Sequence, residues 1–81
     1  MKNQYNSQRL REGYWEEYYD DETSLWRKGN YINGEYHGYC ELYYYDGKLM
    51  FKGNYNNGIQ VGIWEYYDKI KTYKKEYYLV D

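Results

Sequence analysis

Short aromatic runs bounded by glycine are the dominant pattern of this chain. Gly13-Tyr14-Trp15-Glu16-Glu17-Tyr18-Tyr19, Gly38-Tyr39-Cys40-Glu41-Leu42-Tyr43-Tyr44 and Gly62-Ile63-Trp64-Glu65-Tyr66-Tyr67 align with one another. Their length and aromatic content predict strands. Return strands lie between them at residues 25–31 and 49–55, with a degenerate third copy at 72–77, where Lys75 replaces glycine. The landmarks Gly29, Asn33-Gly34 and Gly38 recur at Gly53, Asn57-Gly58 and Gly62, a step of 24 each time. A fixed period of this length marks a repeat architecture, whose end copies are commonly atypical. The expected fold is all-β: a single antiparallel meander of about six strands built from stacked β-hairpins. Repeats of about 13–37, 38–61 and 62–78 make up one domain, 13–78. Residues 1–12 are polar and aperiodic, a frayed arm or a short cap before the first repeat.

The turns set the register. Asn33-Gly34, Asp46-Gly47 and Asn57-Gly58 are two-residue signals for type I′ hairpins, which need positive φ at both positions. With Asp46-Gly47 at the centre, Tyr45 meets Lys48, Tyr44 meets Leu49, Leu42 meets Phe51, Glu41 meets Lys52 and Cys40 meets Gly53. Apolar residues thus face apolar ones and the acid faces a base, a cross-strand pairing that contributes about 0.2–1 kcal/mol. The other two turns place Tyr31 opposite Tyr36, Gly29 opposite Gly38 and Gly53 opposite Gly62. Alternation then sorts the faces. Tyr36, Gly38, Cys40, Leu42, Tyr44, Leu49, Phe51, Gly53, Tyr55, Trp64 and Tyr66 make the expected core side, where glycines let a neighbouring aromatic lie across the backbone. His37, Tyr39, Glu41, Tyr43, Met50, Lys52, Val61, Ile63, Glu65 and Tyr67 make the other.

Composition agrees with strands and narrows the setting. The 81 residues include 16 Tyr, one Phe and no Ala or Pro, which disfavours helices. A net charge of −2 with intermixed signs disfavours nucleic acid as a partner. One cysteine leaves neither an internal disulfide nor a cysteine zinc site, and a reducing cytoplasm is the default setting. No apolar run is long enough to span a membrane as a helix. The abundance of Tyr, Asn and Lys would suit an AT-rich genome, such as that of a low-GC bacterium or its phage.

Gly29-Asn30-Tyr31-Ile32-Asn33-Gly34-Glu35-Tyr36-His37-Gly38, followed by Tyr43-Tyr44-Tyr45-Asp46-Gly47, resembles a MORN-type repeat. The unit from Gly53-Asn54-Tyr55-Asn56-Asn57-Gly58 to Gly62-Ile63-Trp64-Glu65-Tyr66-Tyr67-Asp68 resembles the variant of YwqK-like, antitoxin-like proteins. The resemblance covers about residues 13–68. Val61 stands where the first unit has His37, and Asp68-Lys69 replaces the last Asp-Gly. The resemblance implies stacked hairpins in one twisted sheet whose face or groove binds something. It implies no catalytic set and no cofactor.

The residues themselves offer little chemistry. His37 and Cys40 fall on opposite faces by alternation, so they form no nucleophilic pair. Cys40 shares the column of Trp15 and Trp64 and reads as a small core residue. Glu16, Glu41 and Glu65 share a column beside one of Lys28, Lys52 and Lys74, which reads as a surface charge ladder rather than acid–base machinery. No metal-ligand spacing recurs. The Asp20-Asp21-Glu22-Thr23-Ser24 loop reads as a solvated turn. Lys69, Lys71, Lys74 and Lys75 read as an edge strand guarded by lysines, or as a weak attractor for anionic lipid.

The tyrosines remain. One sheet face has a footprint near 580 Å² for six strands of about 20 Å. Burying that much apolar surface is worth roughly 15 kcal/mol, so a lone sheet rolls up, dimerises or binds. The expected function is a small non-enzymatic protein-binding module. It neutralises a toxin or bacterial defence effector through Tyr39, Tyr43, Met50, Ile63 and Tyr67, with a homo-oligomer as the simplest cover for a face. A membrane-associated scaffold and a stacking site for a nucleotide-like ligand are the alternatives.

Overall fold

Asn33 and Gly34 take φ of 48° and 82°, and Asn57 and Gly58 take 50° and 84°. Two successive positive values define the type I′ turn, whose twist matches paired strands. Hairpins closed this way stack in chain order. The computed structural model, which describes residues 2–67 and 72–77, is a seven-stranded antiparallel meander. Its strands are β1 (Gln4–Tyr5), β2 (Arg11–Tyr18), β3 (Leu25–Ile32), β4 (Glu35–Tyr43), β5 (Leu49–Asn56), β6 (Ile59–Tyr67) and β7 (Thr72–Tyr77). The molecule measures 43 × 41 × 17 Å. Its shortest dimension accommodates one sheet with side chains on both faces.

The expected register holds at the centre: Gly38 to Leu42 pair with Tyr55 to Phe51 in order. It fails at Asp46-Gly47. Only Gly47 has positive φ, at 89°, and the Asp46 carboxylate accepts the Lys48 N–H at 3.0 Å. That side-chain bond supports an Asx-type turn in place of type I′. The turn widens, with Tyr44 N–H donating to the Lys48 carbonyl at 2.8 Å. Tyr43, not Tyr44, therefore pairs with Leu49, and Met50 becomes the extra residue of a bulge. Leu49 moves to the Tyr43 face. Trp26 is skipped in the same way between the Glu17–Arg27 and Tyr18–Leu25 pairs.

Gly29 does not face Gly38, nor Gly53 Gly62. The β3–β4 register steps from Asn30–His37 to Gly29–Cys40, and β5–β6 steps from Asn54–Val61 to Lys52–Glu65. Gly38 and Gly62 sit at these steps with φ of 79° and 73°, a backbone shape that other residues adopt only with strain. Each step inserts two residues. An even slip preserves which side every residue faces, whereas a slip of one would invert the strand.

The inner face is paved with rings. Trp15, Tyr31, Cys40 and Trp64 are buried there. The Trp64 indole lies across Gly53 so closely that a Cβ would come within 2.2 Å of it. Its N–H donates to the Asn54 carbonyl at 3.0 Å. Edge and tilted ring contacts run from Tyr5 and Trp15 through Tyr31, Tyr36 and Tyr55 to Trp64 and Tyr77. Successive repeats are also stitched along their ends. The Tyr19 hydroxyl donates to the Tyr43 carbonyl at 2.6 Å, and the Tyr44 hydroxyl to the Tyr67 carbonyl at 2.9 Å.

The stretch before the first repeat is a cap. Asn6 accepts the Gln8 and Leu10 N–H groups on its side-chain oxygen, and its amide donates to the Asn33 side chain at 2.7 Å. Tyr5 packs edge-on against Trp15, and the Gly34 N–H donates to the Arg11 carbonyl at 2.9 Å. The acidic loop is a turn held by Asp21, which accepts the Thr23 and Ser24 N–H groups. Those bonds, led by the Ser24 hydroxyl, keep its carboxyl well below the usual range.

Candidate functional site

The outer face is organised by one row of charges. Backbone pairing sets Glu16 against Lys28, Lys28 against Glu41, Glu41 against Lys52, Lys52 against Glu65 and Glu65 against Lys74. Six strands thus carry a strictly alternating acid–base ladder. Within it Lys28 pairs with Glu41 at 3.1 Å, while Lys52 and Lys74 both reach Glu65, at 3.4 and 3.5 Å. Glu16 is taken by Lys2 from the cap. Glu41 faces Lys52 in register as expected, but its ion pair goes to Lys28.

Each glutamate is also the anchor of tyrosines two residues away, because alternate residues of a strand share a face. The Tyr14 and Tyr18 hydroxyls both donate to Glu16 at 3.0 Å. Tyr39 donates to Glu41 at 2.6 Å and Tyr43 binds the other oxygen. Tyr67 donates to Glu65 at 2.6 Å. Ile63 breaks the pattern, standing where Tyr14 and Tyr39 stand in the other repeats. Burial opposes ionisation of Glu41, yet the Tyr39 and Tyr43 hydroxyls and the Lys28 ammonium together hold its carboxyl below the usual range. Lys2 does most to lower Glu16, and the Tyr67 hydroxyl does most to lower Glu65. Burial, then the bond to Glu41, pushes the Tyr39 phenol up.

The structure places four of the five expected contact residues, Tyr39, Tyr43, Ile63 and Tyr67, on this face. Tyr39 and Tyr43 flank Glu41, and Ile63 and Tyr67 flank Glu65. Met50 is half-buried at the β5 bulge, beside the Tyr43–Leu49 pair. Tyr39 is 47% exposed and Ile63 59% exposed. Ile32 and Ile59 extend the apolar exposure toward the hairpin tips.

His37 and Cys40 are apart, as alternation requires. Cys40 is buried on the inner face, where burial pushes its thiol up. His37 accepts the Asn57 N–H on Nδ1 at 3.4 Å, bracing the neighbouring turn. Among the described residues no group of three or more His, Cys, Asp or Glu is arranged to hold a metal ion. Lys74 is engaged by Glu65 and Lys75 stands 5.3 Å from the Tyr77 ring, while Lys69 and Lys71 lie outside the described residues.

One residue escaped the sequence reading. Arg27 is 1% exposed on the inner face, its guanidinium 3.8 Å from the centre of the Tyr36 ring and 3.5 Å from Glu17. None of its three side-chain nitrogens has a hydrogen-bond partner among the described residues. The signal was present in two columns. Arg27 stands in the column of Phe51, and Cys40 in that of Trp64. The ring missing at Cys40 leaves room that the guanidinium fills beside Gly29, where Nη2 would lie 3.0 Å from an added Cβ.

Comparison with known proteins finds no family model, curated protein or solved structure that matches this chain.

Proposed function

We propose that the chain is a non-enzymatic protein-binding module that works through its outer, tyrosine-rich face. The observation that carries the reading is the tethering of tyrosine hydroxyls to Glu16, Glu41 and Glu65. A tethered phenol presents a flat, partly apolar surface whose rotamer freedom is already spent. Binding against it costs little further entropy, which is why tyrosine is favoured at interfaces. Tyr39, Tyr43, Met50, Ile63 and Tyr67 are the contact set. The separation of His37 from Cys40 supports a function without covalent chemistry.

The resemblance to antitoxin-like MORN-type repeats directs the search for a partner to a toxin or bacterial defence effector, and the face would act by covering that partner's working surface. The test compares proteins captured from a native-host lysate by the parent chain and by Tyr43→Ser/Tyr67→Ser. The double variant is expected to lose the specific partner while its far-UV circular dichroism stays that of the sheet. An unchanged capture profile with a folded variant would remove this face from the function.

A further inference from the structure

We infer that the outer face is self-complementary, and that its resting occupant is a second copy of this chain joined face to face. The inference rests on the reading of this face as a protein-binding surface and names its first partner.

Two identical sheet faces pack together through a twofold axis lying in the interface plane. If the axis ran along the charge ladder, every residue of the ladder would meet its own copy and all six contacts would be like on like. If it ran parallel to the strands, the ladder would be reversed. An alternating row with an even number of members turns into its opposite on reversal. Glu16 then lies over the partner's Lys74, Lys28 over its Glu65 and Glu41 over its Lys52, each contact occurring twice. The six-membered ladder therefore permits one orientation and opposes the other.

The flanking rows obey the same operation. Tyr39 is paired in register with Asn54, and Tyr14 with Asn30, so large and small residues alternate across the face. Reversal sets Tyr39 over the partner's Asn54 and Ile63 over its Asn30, a protrusion above a gap. On the other side of the ladder it sets Tyr43 over the Leu49–Met50 bulge. Charge and shape, read independently, select the same geometry.

The area is sufficient. Strands of six to nine residues across six members of the sheet give a face of roughly 800 Å². That is about the surface each partner loses in an interface of standard size. The charges also enter already paired within each copy, so docking does not strand an isolated ion. A heterologous partner for this face would displace the second copy, which makes binding competitive with dimerisation.

The experiment uses the full chain in sedimentation velocity over a dilution series, with Glu41→Lys, Lys52→Glu and their equimolar mixture alongside. The parent is expected to dimerise. Each single variant sets like charges against each other twice and is expected to weaken its own dimer about tenfold or more. The mixture restores Lys over Glu at both sites and is expected to dimerise like the parent. A role of these residues inside one sheet cannot be rescued by mixing. Circular dichroism checks each variant's fold, and Lys28→Glu with Glu65→Lys repeats the logic if either central variant unfolds. A parent that stays monomeric, or mixtures no tighter than the single variants, overturns the dimer. A monomeric parent whose captured partner still depends on Tyr43 and Tyr67 overturns the dimer alone and leaves the binding face standing.

Discussion

Gly53→Ala tests whether the inner face is held by an aromatic ring lying on bare backbone. An alanine Cβ at this position would lie 2.2, 2.4 and 2.6 Å from Cδ2, Cε2 and Cγ of Trp64. Carbon atoms in contact sit about 3.5–4.0 Å apart, so the indole must retreat by more than 1 Å, roughly. A gap of about that size forfeits a quarter to a half of the ring's contact energy. Removing a buried tryptophan altogether costs about 3–5 kcal/mol. The retreat alone should therefore cost about 1–2.5 kcal/mol, and overpacking of the neighbours adds to it. We expect a loss of about 2 kcal/mol or more in urea unfolding followed by circular dichroism, equal to a fall in Tm of about 8–16 °C for a domain of this size. Gly62→Ala is the control. It meets nothing within 4 Å, so its φ of 73° is its sole cost, about 1–2 kcal/mol. The two differ in mechanism, which a double-mutant cycle exposes. Trp64→Phe should cost less in the Gly53→Ala background than in the parent, and should be unaffected by Gly62→Ala. Additivity of Gly53→Ala with Trp64→Phe, or a Gly53→Ala cost below about 0.5 kcal/mol, would refute the packing of Trp64 on Gly53.

Arg27→Phe/Cys40→Trp rebuilds between the first and second repeats the Phe51–Trp64 pair that joins the second and third; it should be more stable than the two single changes predict by about 1 kcal/mol or more, because buried ion pairs yield readily to well-packed apolar residues. Stability should fall in acid. The carboxyls of Glu16, Glu41 and Glu65 are lowered in the folded state from an ordinary value of 4.5, so their contribution is complete above that value and drains away as pH drops below it, visible as falling urea midpoints. In alkali the direction reverses. The phenols of Tyr39, Tyr43 and Tyr67 are raised and Tyr55 is pushed up to about 12, so stability holds to about pH 10 and declines above it, with tyrosinate absorbance appearing later than in the urea-unfolded chain. Tyr19→Phe removes the hydroxyl that ties the first repeat to the second and should cost about 0.5–1.5 kcal/mol in the same unfolding assay.

How far the chain could be read in advance depended on whether a feature was local and periodic. The Asn-Gly turns are two-residue signals with one good geometry and led directly to the meander, while counting outward from Asp46-Gly47 led to the Leu42–Phe51 register and the Glu41–Lys52 rung of the charge ladder. Asp46-Gly47 misled because Asp46 found a better partner in the Lys48 N–H than in a left-handed backbone. Gly38 looked like a packing glycine, and Gly62 like the residue opposite Gly53, but both serve as the steps where two residues are inserted, and single-strand alternation carries no sign of that. The faces survived the error because the step is even. The cap stayed hidden because Asn6 and Asn33, which join it to the first turn, are 27 positions apart. Arg27 was masked by its type: an arginine in a strand is read as exposed until the missing ring at Cys40 is weighed against it.

The strict neighbour-to-neighbour order of the strands has a kinetic and evolutionary side. Most all-β domains fold slowly because strands distant in the chain must find each other before any pairing is rewarded. Here each described strand is hydrogen-bonded in the sheet only to its neighbours in chain order. The chain can zip outward from a single hairpin, and duplication of one 24-residue unit would lengthen the sheet by two strands, about 9.6 Å, without disturbing those already laid down. Length in this architecture is a quantity that gene slippage can adjust in whole steps.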